Sequence, residues 1–120
     1  MTSNGSGLTV GHGRHGRGVF ATRRFDEGDV VETCPTVQVP DADVRGRLRD
    51  YVFASVEDGD VVLALGYGML YNHSPQPNVE YVQDEPSTIT FLALRPIRPG
   101  DELTIDYGEE WWETRGREPD

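Results

Sequence analysis

Short apolar runs closed by turn residues make up most of this chain, a pattern that predicts strands rather than long amphipathic helices. Residues 18–22 and 29–34 read as two strands joined by a turn at Asp26-Glu27-Gly28. Residues 51–55 and 61–65 form the arms of a hairpin across Glu57-Asp58-Gly59-Asp60. Residues 79–82 pair with 88–94 across 83–87, and the turn Arg95-Pro96-Ile97-Arg98-Pro99-Gly100-Asp101 delivers 102–105 as the last strand. One helix is predicted, over about 41–50, because acidic residues crowd its start and Arg45, Arg47 and Arg49 lie toward its end. Residues 1–7 read as a mobile Gly/Ser-rich tail, and 11–18 as a glycine-rich loop carrying His12 and His15.

By periodicity alone this is a β-dominated chain, a small sandwich or barrel. Its 120 residues suffice for a single core, since a chain of this size buries only about two thirds of its unfolded surface. The expected organisation is a tail and first strand over 1–12 and one domain over 13–120, with no internal repeat. The longest apolar stretch, 61–65, falls far short of the roughly 20 residues that span a bilayer. Residues 1–7 lack the charged and apolar regions of a signal peptide, so a soluble, intracellular protein with no membrane partner is expected.

Cys34 is the only cysteine, which excludes an internal disulfide and a cysteine-rich zinc cluster. It reads as a small buried apolar group. His12, His15 and His73 lack metal-ligand spacing, and no metal is expected. The formal net charge of −10 argues against nucleic-acid binding through phosphate neutralisation and favours a cationic partner. Acidity that merely keeps a small domain soluble accounts for the same number.

Three short segments change the picture. Gly16-Arg17-Gly18 precedes the apolar run Val19-Phe20-Ala21. Asn72-His73-Ser74-Pro75-Gln76-Pro77-Asn78 follows a segment with two glycines, and Glu102-Leu103-Thr104-Ile105-Asp106-Tyr107-Gly108 comes about thirty residues later. In this order the three resemble the signature of SET-domain protein-lysine methyltransferases, and the resemblance runs from about residue 13 to 112. In length the chain is similar to the compact viral SET proteins, without pre-SET or post-SET zinc regions. The resemblance implies a mainly β fold of several small curved sheets (a β-clip) with a C-terminal pseudoknot and one short helix.

It also implies S-adenosyl-L-methionine as cofactor and a basic, lysine-containing protein substrate, a histone or histone-like tail among them. Gly16, Arg17 and Gly18 would meet the methionine part through their backbone. Asn72 and His73 would hold the amino and adenine ends, largely through main-chain atoms and the Asn72 amide. Taken alone, Gly-Arg-Gly is a plain turn and His73 a structural histidine. Asn78 reads as capping a turn with its side chain, and the resemblance implies a structural role for it inside the site.

Tyr107 would be the catalytic residue. A phenol with a pKa near 10 is a poor base at neutral pH, but its oxygen can orient an amine for in-line displacement. An isolated tyrosine at this strand end would be a core aromatic. Tyr51, Tyr81, Ile105 and Trp111 are candidates for the substrate channel, with core packing an equal reading for Tyr51 and Tyr81. All eleven basic residues are arginine, so such an enzyme could not methylate its own side-chain amines. Completion of the site by a second subunit, a homodimer, is left open. The competing reading is a non-catalytic SET-like module that binds a basic protein segment.

Overall fold

The computed structural model describes residues 7–14, 16–54, 59–85 and 87–107. Nine strands are found among them: β1 (Leu8–Gly13), β2 (Gly16–Ala21), β3 (Val30–Pro40), β4 (Phe53–Ala54), β5 (Asp60–Ala64), β6 (Asn72–His73), β7 (Val79–Glu85), β8 (Thr88–Ala93) and β9 (Glu102–Ile105). They form two sheets, a four-stranded one ordered β1-β2-β9-β6 and a five-stranded one ordered β4-β5-β3-β8-β7. All pairs are antiparallel except β6 with β9. Among the described residues no helix is long and apolar enough to cross a membrane.

Alternation sets the core. Along β8 the side chains of Ile89, Phe91 and Ala93 point inward, and along β9 those of Leu103 and Ile105 do. Leu8, Val19, Phe25, Cys34, Val62 and Val79 complete a fully buried cluster drawn from both sheets. Cys34 is therefore the buried apolar group its sequence context predicts. Burial, with Glu32 nearby, raises its thiol pKa to about 12 and leaves it unreactive as a nucleophile.

Two similar turns join the sheets. The Asp26 N–H bonds the Asp29 carboxylate at 2.8 Å and the Arg98 N–H bonds the Asp101 carboxylate at 3.0 Å. Each turn then ties back to a strand of the opposite run, Gly28 N–H to Ala93 and Gly100 N–H to Ala21, both at 2.8 Å. A bridge between Phe25 and Ile97 lies between these contacts.

The structure departs from the sequence reading in three places. The predicted helix over 41–50 is two short 3-10 turns, Asp41–Asp43 and Gly46–Asp50. Gly46 at φ +65° interrupts the run, a conformation glycine adopts without penalty and a continuous helix excludes. The charges that suggested a helix dipole make a direct clasp instead. The Arg49 guanidinium donates to the Asp41 carboxylate and to the Val44 carbonyl at 2.7 Å.

The glycine-rich segment is not a loop. Gly11 and Gly13 pair in register with Gly18 and Gly16. A Cβ at Gly13 would stand 2.7 Å from the Phe20 ring, so the glycines make a strand over which that ring can lie. Finally, β3 continues through Pro35 to Pro40, because it pairs with β8 as far as Pro35 and with β5 from Thr36 onward. Pro35 sits at that changeover. Of the tail expected over 1–7, residues 1–6 lie outside the described residues.

Candidate active site

Strand β9 is where the three sequence segments meet. On one side it pairs with β2, Val19 opposite Leu103 and Phe20 opposite Glu102. On the other it runs parallel to β6, Asn72 opposite Thr104 and His73 opposite Ile105. The Ser74 N–H continues that ladder to the Ile105 carbonyl at 2.9 Å.

Side chains lock the junction. The Asn72 Nδ2 donates to the Arg17 carbonyl at 2.9 Å and to the Glu102 Oε2 at 2.8 Å, so both of its hydrogens are committed. Gly18 lies directly against this pair. A Cβ there would overlap Glu102 Oε2 and stand 2.8 Å from Asn72 Nδ2. The second glycine of Gly-Arg-Gly is thus required by its protein neighbours. Gly16 is different: at φ +86° it has nothing within 4 Å of an added Cβ, and its backbone borders open space.

Asn78 does more than cap a turn. Only 9% exposed, its Nδ2 donates to the Glu102 carbonyl at 2.9 Å and its Oδ1 accepts the Thr104 N–H at 2.8 Å. One buried amide therefore satisfies two backbone groups of β9.

Tyr107 lies two residues beyond the end of β9. Its N–H donates to His73 Nδ1 at 3.1 Å, and its phenol donates to the Tyr71 carbonyl at 3.0 Å. Because Nδ1 is the acceptor, His73 carries its proton on Nε2 in this arrangement. The two rings lie 5.2 Å apart, tilted by 55°, and the Asp106 carboxylate is 3.8 Å from His73 Nδ1. Burial raises the Tyr107 pKa to about 12, with Tyr51, Asp50 and Glu102 adding to the shift against a lowering hydrogen bond. At neutral pH this phenol is a protonated, oriented hydroxyl.

A cleft of about 460 Å³ opens beside these groups. Arg17, Asn72, Tyr51 and Tyr107 line it, with Met69 and Leu70 as an apolar wall. Of the residues singled out in sequence, these first four are brought together. Gly16, Gly18 and His73 adjoin them through the backbone and the contacts above. Tyr81 is placed elsewhere, in an aromatic cluster with Phe53 at 5.0 Å and Phe91 at 6.2 Å, and burial raises its pKa ahead of the nearby Asp106. Ile105 is in the core at 2% exposure. Trp111 lies outside the described residues, as do Gly108 and His15.

Sequence reasoning missed the carboxylate of Glu102, the cleft-lining His12 and the apolar pair Met69 and Leu70. Glu102 had a signal, since it opens the segment that ends in Tyr107. The cleft size suits a ligand of nucleoside dimensions. Open backbone at Gly16, an arginine, aromatic rings and an apolar wall also fit S-adenosyl-L-methionine, which combines a carboxylate, a sulfonium and an adenosine. No group of three or more metal-ligating side chains exists among the described residues.

Known proteins resemble this chain in sequence and in fold. The SET domain family model matches residues 16–108. A Schizosaccharomyces pombe protein, histone-lysine N-methyltransferase, H3 lysine-37 specific, is 32% identical over 105 residues, covering 82% of this chain and 71% of its own length. Human histone-lysine N-methyltransferase 2B is 35% identical over 108 residues, 78% of this chain but only 4% of that much longer protein. A solved structure of a Plasmodium falciparum protein, provisionally assigned as a histone methyltransferase, superposes with a TM-score of 0.75 at 31% identity, covering 88% of this chain and 96% of its own. With three motifs converging on one strand, a match over most of the sequence and a shared fold, the chain belongs to the SET-domain family.

Proposed function

We propose that this protein is an S-adenosyl-L-methionine-dependent protein-lysine N-methyltransferase acting on a basic protein segment, a histone or histone-like tail in the first instance. The observation that carries the reading is the Tyr107 phenol, half-buried, protonated and fixed on the Tyr71 carbonyl at the cleft that Asn72 and Arg17 also line.

When bound, the cofactor supplies a methyl group on a sulfonium, open to in-line displacement by an uncharged amine. Tyr107 has its proton committed to Tyr71, so toward an amine it acts as acceptor and aligns the nitrogen lone pair. Its raised pKa excludes a phenolate base at neutral pH. The amine must arrive neutral, and an aromatic, partly desolvated approach past Tyr51 favours that form. Arg17 offers its guanidinium to a carboxylate. With both hydrogens of its Nδ2 already used, Asn72 would meet the cofactor through Oδ1 and its main chain. The net charge of −10 draws a lysine- and arginine-rich segment toward the surface within the roughly 8 Å reach of charges at physiological salt.

Isothermal calorimetry tests the cofactor part. Wild type should bind S-adenosyl-L-methionine, and Asn72→Ala, which frees the Arg17 carbonyl and Glu102, should bind it at least tenfold more weakly. Absence of binding to the wild type would overturn the proposal.

A further inference from the structure

Glu32 belongs to none of the three motifs, yet it joins parts of the chain far apart in sequence. The pairing of β3 with β8 slips register between Val30 and Glu32. Irregularities of this kind re-aim a side chain. Here the re-aimed carboxylate accepts the Tyr67 N–H at 3.0 Å and the Tyr71 hydroxyl at 2.8 Å, residues 35 and 39 positions downstream.

The intervening turn is shaped around this carboxylate. Gly66 has φ +68°, and a Cβ on it would come within 2.5 Å of Glu32 Oε2. Gly68 is likewise closed in, since a Cβ there would stand 2.6 Å from the Ala64 side chain and 3.1 Å from the Cys34 sulfur. The Tyr71 ring is 2% exposed and stacks on Phe91 with centroids 4.4 Å apart, so it has one place to sit. Its carbonyl receives the Tyr107 phenol at 3.0 Å, and the next residue is Asn72.

We infer that Glu32 is a positioning residue for the reaction, acting through Tyr71 to hold the carbonyl on which the Tyr107 hydroxyl is oriented. The inference rests on the proposed methyl transfer for its kinetic consequence but not for its geometry. A carboxylate with two donors fixes the turn at Tyr67 and the ring at Tyr71, and between them the orientation of the peptide that follows. Releasing it lets that carbonyl tilt. The phenol then loses a fixed direction while Arg17 and Tyr51, which line the cleft from outside this turn, keep theirs, so the chemical step suffers more than binding does. Small misplacements of a catalytic group cost from about ten- to a hundredfold in rate.

The experiment compares wild type with Glu32→Ala, Glu32→Gln and Tyr71→Phe, using Gln38→Ala as a control that removes the Gln38–Asp60 hydrogen bond away from the cleft. Glutamine retains an acceptor for Tyr67 and a polar partner for the Tyr71 hydroxyl, and should act as the conservative rescue. Two readouts are taken for each: the Tyr107 ring resonances of tyrosine-labelled protein, assigned by Tyr107→Phe, and kcat and KM for methyl transfer. Glu32→Ala and Tyr71→Phe should shift the Tyr107 ring signals and lower kcat about tenfold, a larger effect than on KM for either substrate. Glu32→Gln should lie near wild type, and Gln38→Ala should lower Tm without moving either readout. A Glu32→Ala protein that is less stable but keeps wild-type Tyr107 signals, or wild-type kcat in an active enzyme, would overturn the inference. Should wild type transfer no methyl group, the proposed function fails, and the ring signals alone still decide whether Glu32 positions Tyr107.

Discussion

Replacing Asn78 by alanine removes two hydrogen bonds at once and leaves two backbone groups of β9, the Glu102 carbonyl and the Thr104 N–H, without their partner. Each orphaned group at a buried site costs about 1–3 kcal/mol. Two of them, with some relief from water at this partly buried site, amount to about 3 kcal/mol. Set against the roughly 5–15 kcal/mol stability of a typical domain, that is a large fraction. In urea, with a slope of roughly 1.5–2 kcal/mol per M, the midpoint should fall by roughly 1.5–2 M.

Asn78→Asp sharpens the test. Its ionised carboxylate can still accept the Thr104 N–H but faces the Glu102 carbonyl with negative charge. Burial and that carbonyl raise the folded-state pKa of the new acid above its unfolded value of about 3.9. The native state then binds the proton more tightly than the unfolded state. Relative to wild type, stability is fully present below about pH 3.9 and is lost as pH rises through the folded pKa. Asn78→Asp should therefore approach wild type at about pH 4 and fall to the alanine level near pH 8. A change under about 0.5 kcal/mol for Asn78→Ala, or a pH-independent gap for Asn78→Asp, would refute the reasoning.

Two further outcomes follow from the same geometry. Gly18→Ala forces Glu102 and Asn72 aside, so it should cost about 2 kcal/mol in urea unfolding, and it should cost less in a Glu102→Ala background, where the tighter of its two clashes is gone. Because its pKa is raised to about 12, Tyr107 holds its proton more tightly folded than unfolded, so the stability it contributes is complete below about pH 10 and lost as pH rises toward 12. An absorbance titration of tyrosine ionisation should show that Tyr107→Phe removes a late component and leaves the earlier part unchanged.

What the sequence revealed, and what it hid, separates along a physical line. Hairpins whose register follows from local alternation, such as β7 with β8, were readable, because strand and turn residues announce themselves within a few positions. The helix over 41–50 misled because clustered charge was read as a dipole complement when Arg49 was folding back onto Asp41. A first strand was expected before residue 13, but its end over 11–13 and the start of β2 at Gly16 were hidden by glycines that low strand propensity assigns to a loop, although the Phe20 ring requires Gly11 and Gly13. At the cleft, Arg17, Asn72 and Tyr107 were legible through their motifs. Glu32 was not, since nothing near it in sequence reveals partners 35 and 39 residues away. The residues around Asn78 suggested only a turn cap and the resemblance a structural role inside the site, while its actual partners on a strand 24 and 26 residues downstream are not readable locally.

Transfer of labelled methyl groups from S-adenosyl-L-methionine to a pool of core histones and bulk basic proteins, wild type beside Tyr107→Phe, tests the central claim most directly. The geometry predicts label on lysine with the wild type and a loss of at least about a hundredfold in the mutant, whose cofactor binding stays within about threefold because only the hydroxyl is removed. Equal label from Tyr107→Phe would contradict the role of the phenol. No label from the wild type would contradict the enzyme itself and leave a SET-fold module that binds basic segments without modifying them.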